Sequence, residues 1–265
     1  MKIAPTRFDK GENRMTARAL KPWLFLLPAL TIYLIVIFVP SLYTFYLSFF
    51  KWNGVAADKV FVGLDNYADL ILHDSVFARA LKNNLLWTAG SLILMIGIGL
   101  MLALLLNKRI KGRIVFRGIF YFPYVLSGVI VATSWAWMYN PTQGFVNKLL
   151  ETIGLESWTR AWLADPETAL YAVFIAALWQ GVGQPMVLFL AGLQTIPHDP
   201  YEAAVLDGAK PYQSFWYITF PLLRETLVIV VATTMIASMK VYDIIYAMTG
   251  GGPAESTQVL SSWMY

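Results

Sequence analysis

The chain has 265 residues, of which 58% are hydrophobic and only 14% charged, and 20 Lys+Arg against 16 Asp+Glu leave a net charge of +4. Soluble globular domains are about 45–50% apolar and about 25% charged, so lipid is the expected solvent for much of this surface, and a water-soluble globular domain is excluded. The chain has no cysteine, which excludes disulfides and thiolate chemistry, and so small a net charge does not call for nucleic acid as a partner.

In chain order, residues 1–22 form a basic tail carrying Lys2, Arg7, Lys10, Arg14, Arg18 and Lys21. Five stretches then reach the roughly 20 apolar residues that a helix needs to cross a bilayer. The first, Trp23 to Phe50, contains Pro28 and Pro40 as expected bend points. Its apolar run is too long for a secretory signal and no small-residue cleavage pattern follows, so it is read as retained. The second is Leu85 to Leu106, where Gly90, Gly97 and Gly99 permit close helix packing. The third runs from Gly118 to Tyr139 and the fourth from Ala169 to Leu193, with Trp179, Gln180 and Gln184 inside it. The fifth, Thr226 to Met248, contains Lys240 and Asp243 at a spacing that would let them pair on a helix. Gly250 to Pro253 read as a turn or hinge. Aromatic residues such as Trp23, Phe49, Trp137 and Tyr139 crowd the span ends, as in interfacial belts.

Loop charge sets the orientation. The tail sets its six basic residues against Asp9 and Glu12 alone, and the short loop with Lys108, Arg109, Lys111, Arg113 and Arg117 holds no acid, whereas the loops after the first and third spans dilute their basic residues with as many or more acids. The N-terminus and the loop after the second span are therefore expected in the cytoplasm. Alternation puts the loop after the fourth span there too, and puts Tyr265 outside.

That last cytoplasmic loop, 195–225, contains "PYEAAVLDGAKPYQSFWYITFPLL". Asp199 is an expected N-cap, Pro200 suits the first helical position, and Glu202 stands where a capping box would place it. Gly208 is an expected helix stop in the left-handed region, and Pro211 begins a second helix. Two readings stay open on these grounds. A capped helix between two spans needs no function. Alternatively it is a docking helix, with small side chains at Ala203 and Ala204 for close approach and Val205 and Leu206 for burial.

The ordered set Glu202, Ala203, Ala204, Asp207, Gly208, Ile218 and Pro221 resembles the EAA loop of the membrane subunits of binding-protein-dependent ABC importers. The resemblance covers most of the chain and is specifically similar to the sugar-permease branch, of maltose and glycerol-3-phosphate type. "LLPAL", "VGLDNY", "WAWMYNPTQGFVN" and "LWQGVGQPMVLFLAGLQTIP" also carry it. The resemblance implies an all-α polytopic membrane bundle of the type I importer kind, with residues 23–265 as the permease domain. Such permeases continue past the "TGGGP" region into one more span, so five spans are expected here with the last one missing. It implies that the EAA loop is a coupling helix seated on a cytoplasmic ATP-binding subunit. The further partners implied are a second permease subunit, an extracytoplasmic solute-binding protein and lipid, in a bacterial or archaeal plasma membrane.

No H-E-x-x-H metal motif and no phosphate-binding G-x-x-x-x-G-K-[ST] loop occurs, and the only histidines are His73 and His198. The chain is therefore expected to be non-catalytic and without cofactor or metal, with ATP hydrolysis on another chain. Polar residues inside spans are costly and often face a pathway, which makes Trp179, Gln180, Tyr242 and Asp243 the candidate pathway residues. Interhelical hydrogen bonding is the competing role for the glutamines, and a structural ion pair that for Lys240 and Asp243. A sugar permease subunit is the leading function. A secondary transporter of a small polar solute is the alternative, although no internal repeat supports it.

Overall fold

The computed structural model describes residues 23–56, 58–108 and 110–264. The expected cytoplasmic tail 1–22, Arg109 of the basic loop, and Tyr265 lie outside them. The chain divides into two compact units at His73/Asp74.

The first unit begins with helix α1, Trp23–Leu47. Proline at position 40 cannot donate to the carbonyl four residues earlier, and a widened π-helical turn, Leu34–Phe38, lies immediately before it. The helix ends before Phe50, which instead begins a two-residue strand, β1 (Phe50–Lys51), antiparallel to β2 (Val60–Phe61) with Phe50 opposite Phe61. A short helix, α2 (Asp65–Leu72), follows. The Tyr67 hydroxyl lies 2.6 Å from that of Ser48, and the Asn66 amide donates to the Ser48 carbonyl.

The second unit is a bundle of long helices. Helix α3 (Ser75–Asn107) starts at Asp74, whose carboxylate accepts from the amides of Val76 and Phe77. The third expected span is not straight. It forms α4 (Arg113–Val125) and α5 (Gly128–Met138), bent by 99°. Pro123 removes a donor inside α4, and Leu126 and Ser127 are extended, so the helical ladder is interrupted there. After α6 (Phe145–Thr152) come α7 (Ala169–Thr195), the short helix α8 (Asp199–Leu206) and a helical segment, α9, over 211–222. The chain closes with α10 (Arg224–Met239), α11 (Asp243–Thr249) and a last turn, α12 (Leu260–Trp263). Among the described residues of both units, four helices are long and apolar enough to cross a membrane, and five spans result when the bent pair counts as one.

The fifth expected span is interrupted as well. Lys240 caps α10, and Tyr242 leaves the helical region before α11 begins. The expected Lys240–Asp243 pair therefore does not form. The ion pair between permanently charged groups among the described residues is Arg160–Asp165, and the His73 ring nitrogen lies 3.2 Å from the Asp69 carboxylate.

Two apolar cores lie along the bundle. One gathers Trp87, Val131, Val173, Ala176, Ile245 and Val259. The other gathers Ala103, Leu106, Met186, Phe189, Leu223 and Val230. Helices α3 and α7 pass from the first core to the second, and α10–α11 return from the second to the first. Close approach depends on glycine. A Cβ on Gly99 would stand 2.7 Å from the Pro185 Cβ and 3.0 Å from the Met186 backbone nitrogen, and one on Gly90 would stand 2.8 Å from the Phe174 ring. Gly97 meets nothing within 4 Å, so two of the three glycines expected to bring helices together do so.

The turn expected at Gly250–Pro253 is a tied loop. Arg79 donates to the Ala254 carbonyl at 2.7 Å, and the buried Asn83 amide donates to the carbonyls of Ser256 and Gln258, both at 2.8 Å.

Candidate functional site

Helix α8 is eight residues long. It starts at Asp199, but His198 holds the N-cap position and no side chain caps the helix. His198 is itself helical, and its carbonyl accepts from the amides of Tyr201 and Glu202. The expected capping role of Asp199 and Glu202 is therefore not realised. The other end follows expectation closely. Gly208 has φ +74°, the Gly208 amide donates to the Val205 carbonyl at 3.1 Å, and the Ala209 amide donates to the Ala204 carbonyl at 2.8 Å. This pair of bonds is the Schellman stop, which needs a left-handed residue at that position.

The helix is held on one side and open on the other. Tyr201 packs on the second core, and its hydroxyl lies 2.9 Å from that of the buried Thr219. Glu202, Ala203 and Asp207 are exposed, Val205 is 72% exposed and Leu206 89%. His198, Tyr201, Glu202, Val205 and Leu206 border a shallow groove of about 420 Å³. Burying such aliphatic side chains gains about 1.5–3 kcal/mol each, so the face is suited to a partner.

Segment α9 repeats the device of α1. Pro221 is preceded by a π-helical turn, Phe215–Thr219, and the Phe220 amide donates to the Phe215 carbonyl, five residues back. Ile218 is half-buried and Pro221 exposed. Leu223, fully buried in the second core, joins this segment to α10.

A second feature lies between the two cores. A cavity of about 160 Å³ is bordered by Ser91 of α3, Gln180 and Gln184 of α7, Thr234 and Ser238 of α10, and Tyr124 of α4. Ser238 donates to the Thr88 hydroxyl at 3.1 Å. Ser91, at the head of a π-helical turn over Ser91–Met95, is 1% exposed, and its hydroxyl has no hydrogen-bond partner. Such a group costs about 1–3 kcal/mol. Gln180 donates to the Leu126 carbonyl at 2.9 Å and thereby holds the extended break between α4 and α5.

The four candidate pathway residues are not brought together. Gln180 borders the cavity. Trp179, one residue earlier and so about 100° around the helix, stacks edge-on against Trp135 at 6.0 Å and borders a different groove along α4. Tyr242 and Asp243 sit at the break between α10 and α11, beside the cavity-lining Val241 and Ile244. Tyr242 stacks on Tyr246 at 5.2 Å, and the exposed Asp243 has its Cβ 3.3 Å from where Gly128 would carry one. Ser91, Thr234 and Ser238 did not stand out in the sequence. Their signal was the presence of small hydroxyls at mid-span, and Thr234 and Ser238 share a face by i, i+4 spacing.

Comparison with known proteins gives consistent relatives. Residues 95–265 match the family described as binding-protein-dependent transport system inner membrane component. A probable ABC transporter permease protein of Bacillus subtilis, YurN, is 39% identical over 92% of this chain and 84% of its own length. The trehalose/maltose transport system permease protein MalF of Thermococcus litoralis is 38% identical over 90% of this chain and 80% of its own. A solved bacterial alginate ABC transporter, in complex with an alginate pentasaccharide-bound periplasmic protein, superposes with a TM-score of 0.79 at 25% identity, covering 95% of this chain and 84% of the matched one.

Proposed function

Since the chain belongs to the family of binding-protein-dependent transport system inner membrane components, we propose that it is a pore-forming subunit of an ATP-driven importer of a sugar or sugar derivative. The N-terminus and α8 lie in the cytoplasm. Two ATP-binding subunits, a second permease subunit and an extracytoplasmic solute-binding protein complete the machine. Trehalose/maltose transport by one relative and alginate import by another support a carbohydrate substrate.

The observation that carries this reading is the path from α8 to the cavity. The exposed face of Glu202, Ala203, Val205 and Leu206 is the contact for the ATP-binding subunit. Tyr201 and the Schellman turn transfer its displacement to α9. Leu223 passes the displacement to α10, whose Thr234 and Ser238 border the mid-span cavity. Closure of the ATP-binding pair moves α10 against α3 and α7, and this exposes the cavity alternately to each side. Ser91, Gln180 and Gln184 offer hydroxyl and amide groups to sugar hydroxyls, and Trp87 offers an apolar face. Tyr242 and Asp243 flank the outer end of that cavity.

Reconstitution of the full complex in liposomes tests the proposal. Uptake should require ATP on the α8 side and the loaded binding protein on the other. Uptake driven by a proton or sodium gradient without ATP would assign the chain to secondary transport.

A further inference from the structure

The groove beside α4 is separate from the cavity. It has a volume of about 640 Å³ and is bordered by Val115, Gly118, Ile119, Phe122 and Pro123 of α4 and by Trp179 of α7. The borders are predominantly apolar, and Gly118 forms an open floor, since a Cβ there would meet nothing within 4 Å. At the N-terminal end of α4 the chemistry changes abruptly. Lys108, Lys111 and Arg113 are exposed, and none makes a side-chain hydrogen bond or ion pair among the described residues. No Asp or Glu occurs between Asp74 and Glu151. Arg113 opens the helix, where a cation opposes the macrodipole, and Gly112 at the N-cap supplies no side-chain acceptor. Arg117 is fixed by donation to the Leu106 carbonyl at the end of α3, and its Nε is buried without a partner.

An apolar channel along a helix with unpaired cations at one end has the polarity of a phospholipid. We propose that this groove is a binding site for an anionic phospholipid, with one acyl chain lying along Val115, Gly118 and Phe122 and the phosphate held by Lys108, Lys111 and Arg113. Charge complementarity selects the ligand. Clusters of Lys and Arg next to a membrane helix attract anionic headgroups, whereas a zwitterionic lipid fills the groove without engaging them. The site depends on the membrane reading above but on neither the substrate nor the coupling role of α8.

The test uses the assembled transporter in nanodiscs, which expose both leaflets and so do not depend on orientation. Phosphatidylglycerol with a photoactivatable acyl chain should label peptides containing Val115–Pro123 and Trp179 at least several-fold more than the phosphatidylcholine analogue. Combined Lys108→Gln, Lys111→Gln and Arg113→Gln should lower that labelling to the phosphatidylcholine level, leaving Arg117 to tie α4 to α3. Gly118→Leu, whose Cβ has open space and whose side chain projects into the groove, should abolish labelling by both lipids. Equal labelling by the two lipids in the unmodified protein would overturn the proposal. So would crosslinking of Gly118→Cys to the second permease subunit, which would make the groove a subunit interface. Either failure leaves ATP-driven uptake, measured separately, as the test of function.

Discussion

The Tyr201 and Thr219 hydroxyls stand 2.9 Å apart, and through them the short exposed helix α8 is fastened to the segment that leads into α10. Tyr201→Phe keeps the ring packed on the second core and removes this bond alone. A net hydrogen bond contributes about 0.5–1.5 kcal/mol, so the complex should still assemble. Motion transmitted through the bond should weaken, and the number of ATP molecules hydrolysed per sugar imported should rise several-fold. An unchanged ratio would show that the backbone turn alone transmits the motion.

Gly208 supplies the left-handed residue of the Schellman turn, with φ +74°. Nothing lies within 4 Å of a Cβ built there, so any cost is conformational and not steric crowding by neighbours. Gly208→Val should destabilise the turn by about 1–2 kcal/mol and lower coupled transport. Gly208→Asn, which tolerates this backbone, should retain most of it. Equal loss in both variants, measured as ATP-dependent uptake, would point to a role for Gly208 in close contact with the partner.

Much of this region was legible in the sequence. Glycine and proline set backbone geometry locally, so the α8 stop at Gly208 and the start of the next helix at Pro211 follow from residue type alone. The placement of the N-cap did not follow, because His198 adopts a helical conformation that shifts the first turn back by one residue. The breaks within the third and fifth spans were hidden for another reason. Hydropathy measures length and polarity but not direction, so Leu126–Ser127 and Lys240–Tyr242 fall inside windows whose mean reads as one continuous span. Pro123 was the available signal for the first break. Gln180 and Trp179 are adjacent in sequence and border different cavities; the rotation of about 100° per residue separates them, but which neighbour each meets is fixed by tertiary packing.

Ser91 separates stability from function. Its buried hydroxyl is unpartnered and borders the cavity. Ser91→Ala should raise the stability of the purified complex by about 1–3 kcal/mol, seen as a higher Tm. The same change should raise the KM for uptake, since one group facing the sugar is gone. A lower Tm with unaltered uptake would place Ser91 in packing.

The central claim is that the exposed face of α8 is the contact for an ATP-binding subunit. Ala203 lies on that face, and the chain has no cysteine of its own. The most direct measurement is disulfide crosslinking of Ala203→Cys, in the assembled transporter, to single cysteines placed on the ATP-binding subunit. Efficient crosslinking that changes with nucleotide state is the predicted result. An Ala203→Cys residue that crosslinks to no position on that subunit, in a complex that still imports sugar at the unmodified rate, would contradict the account.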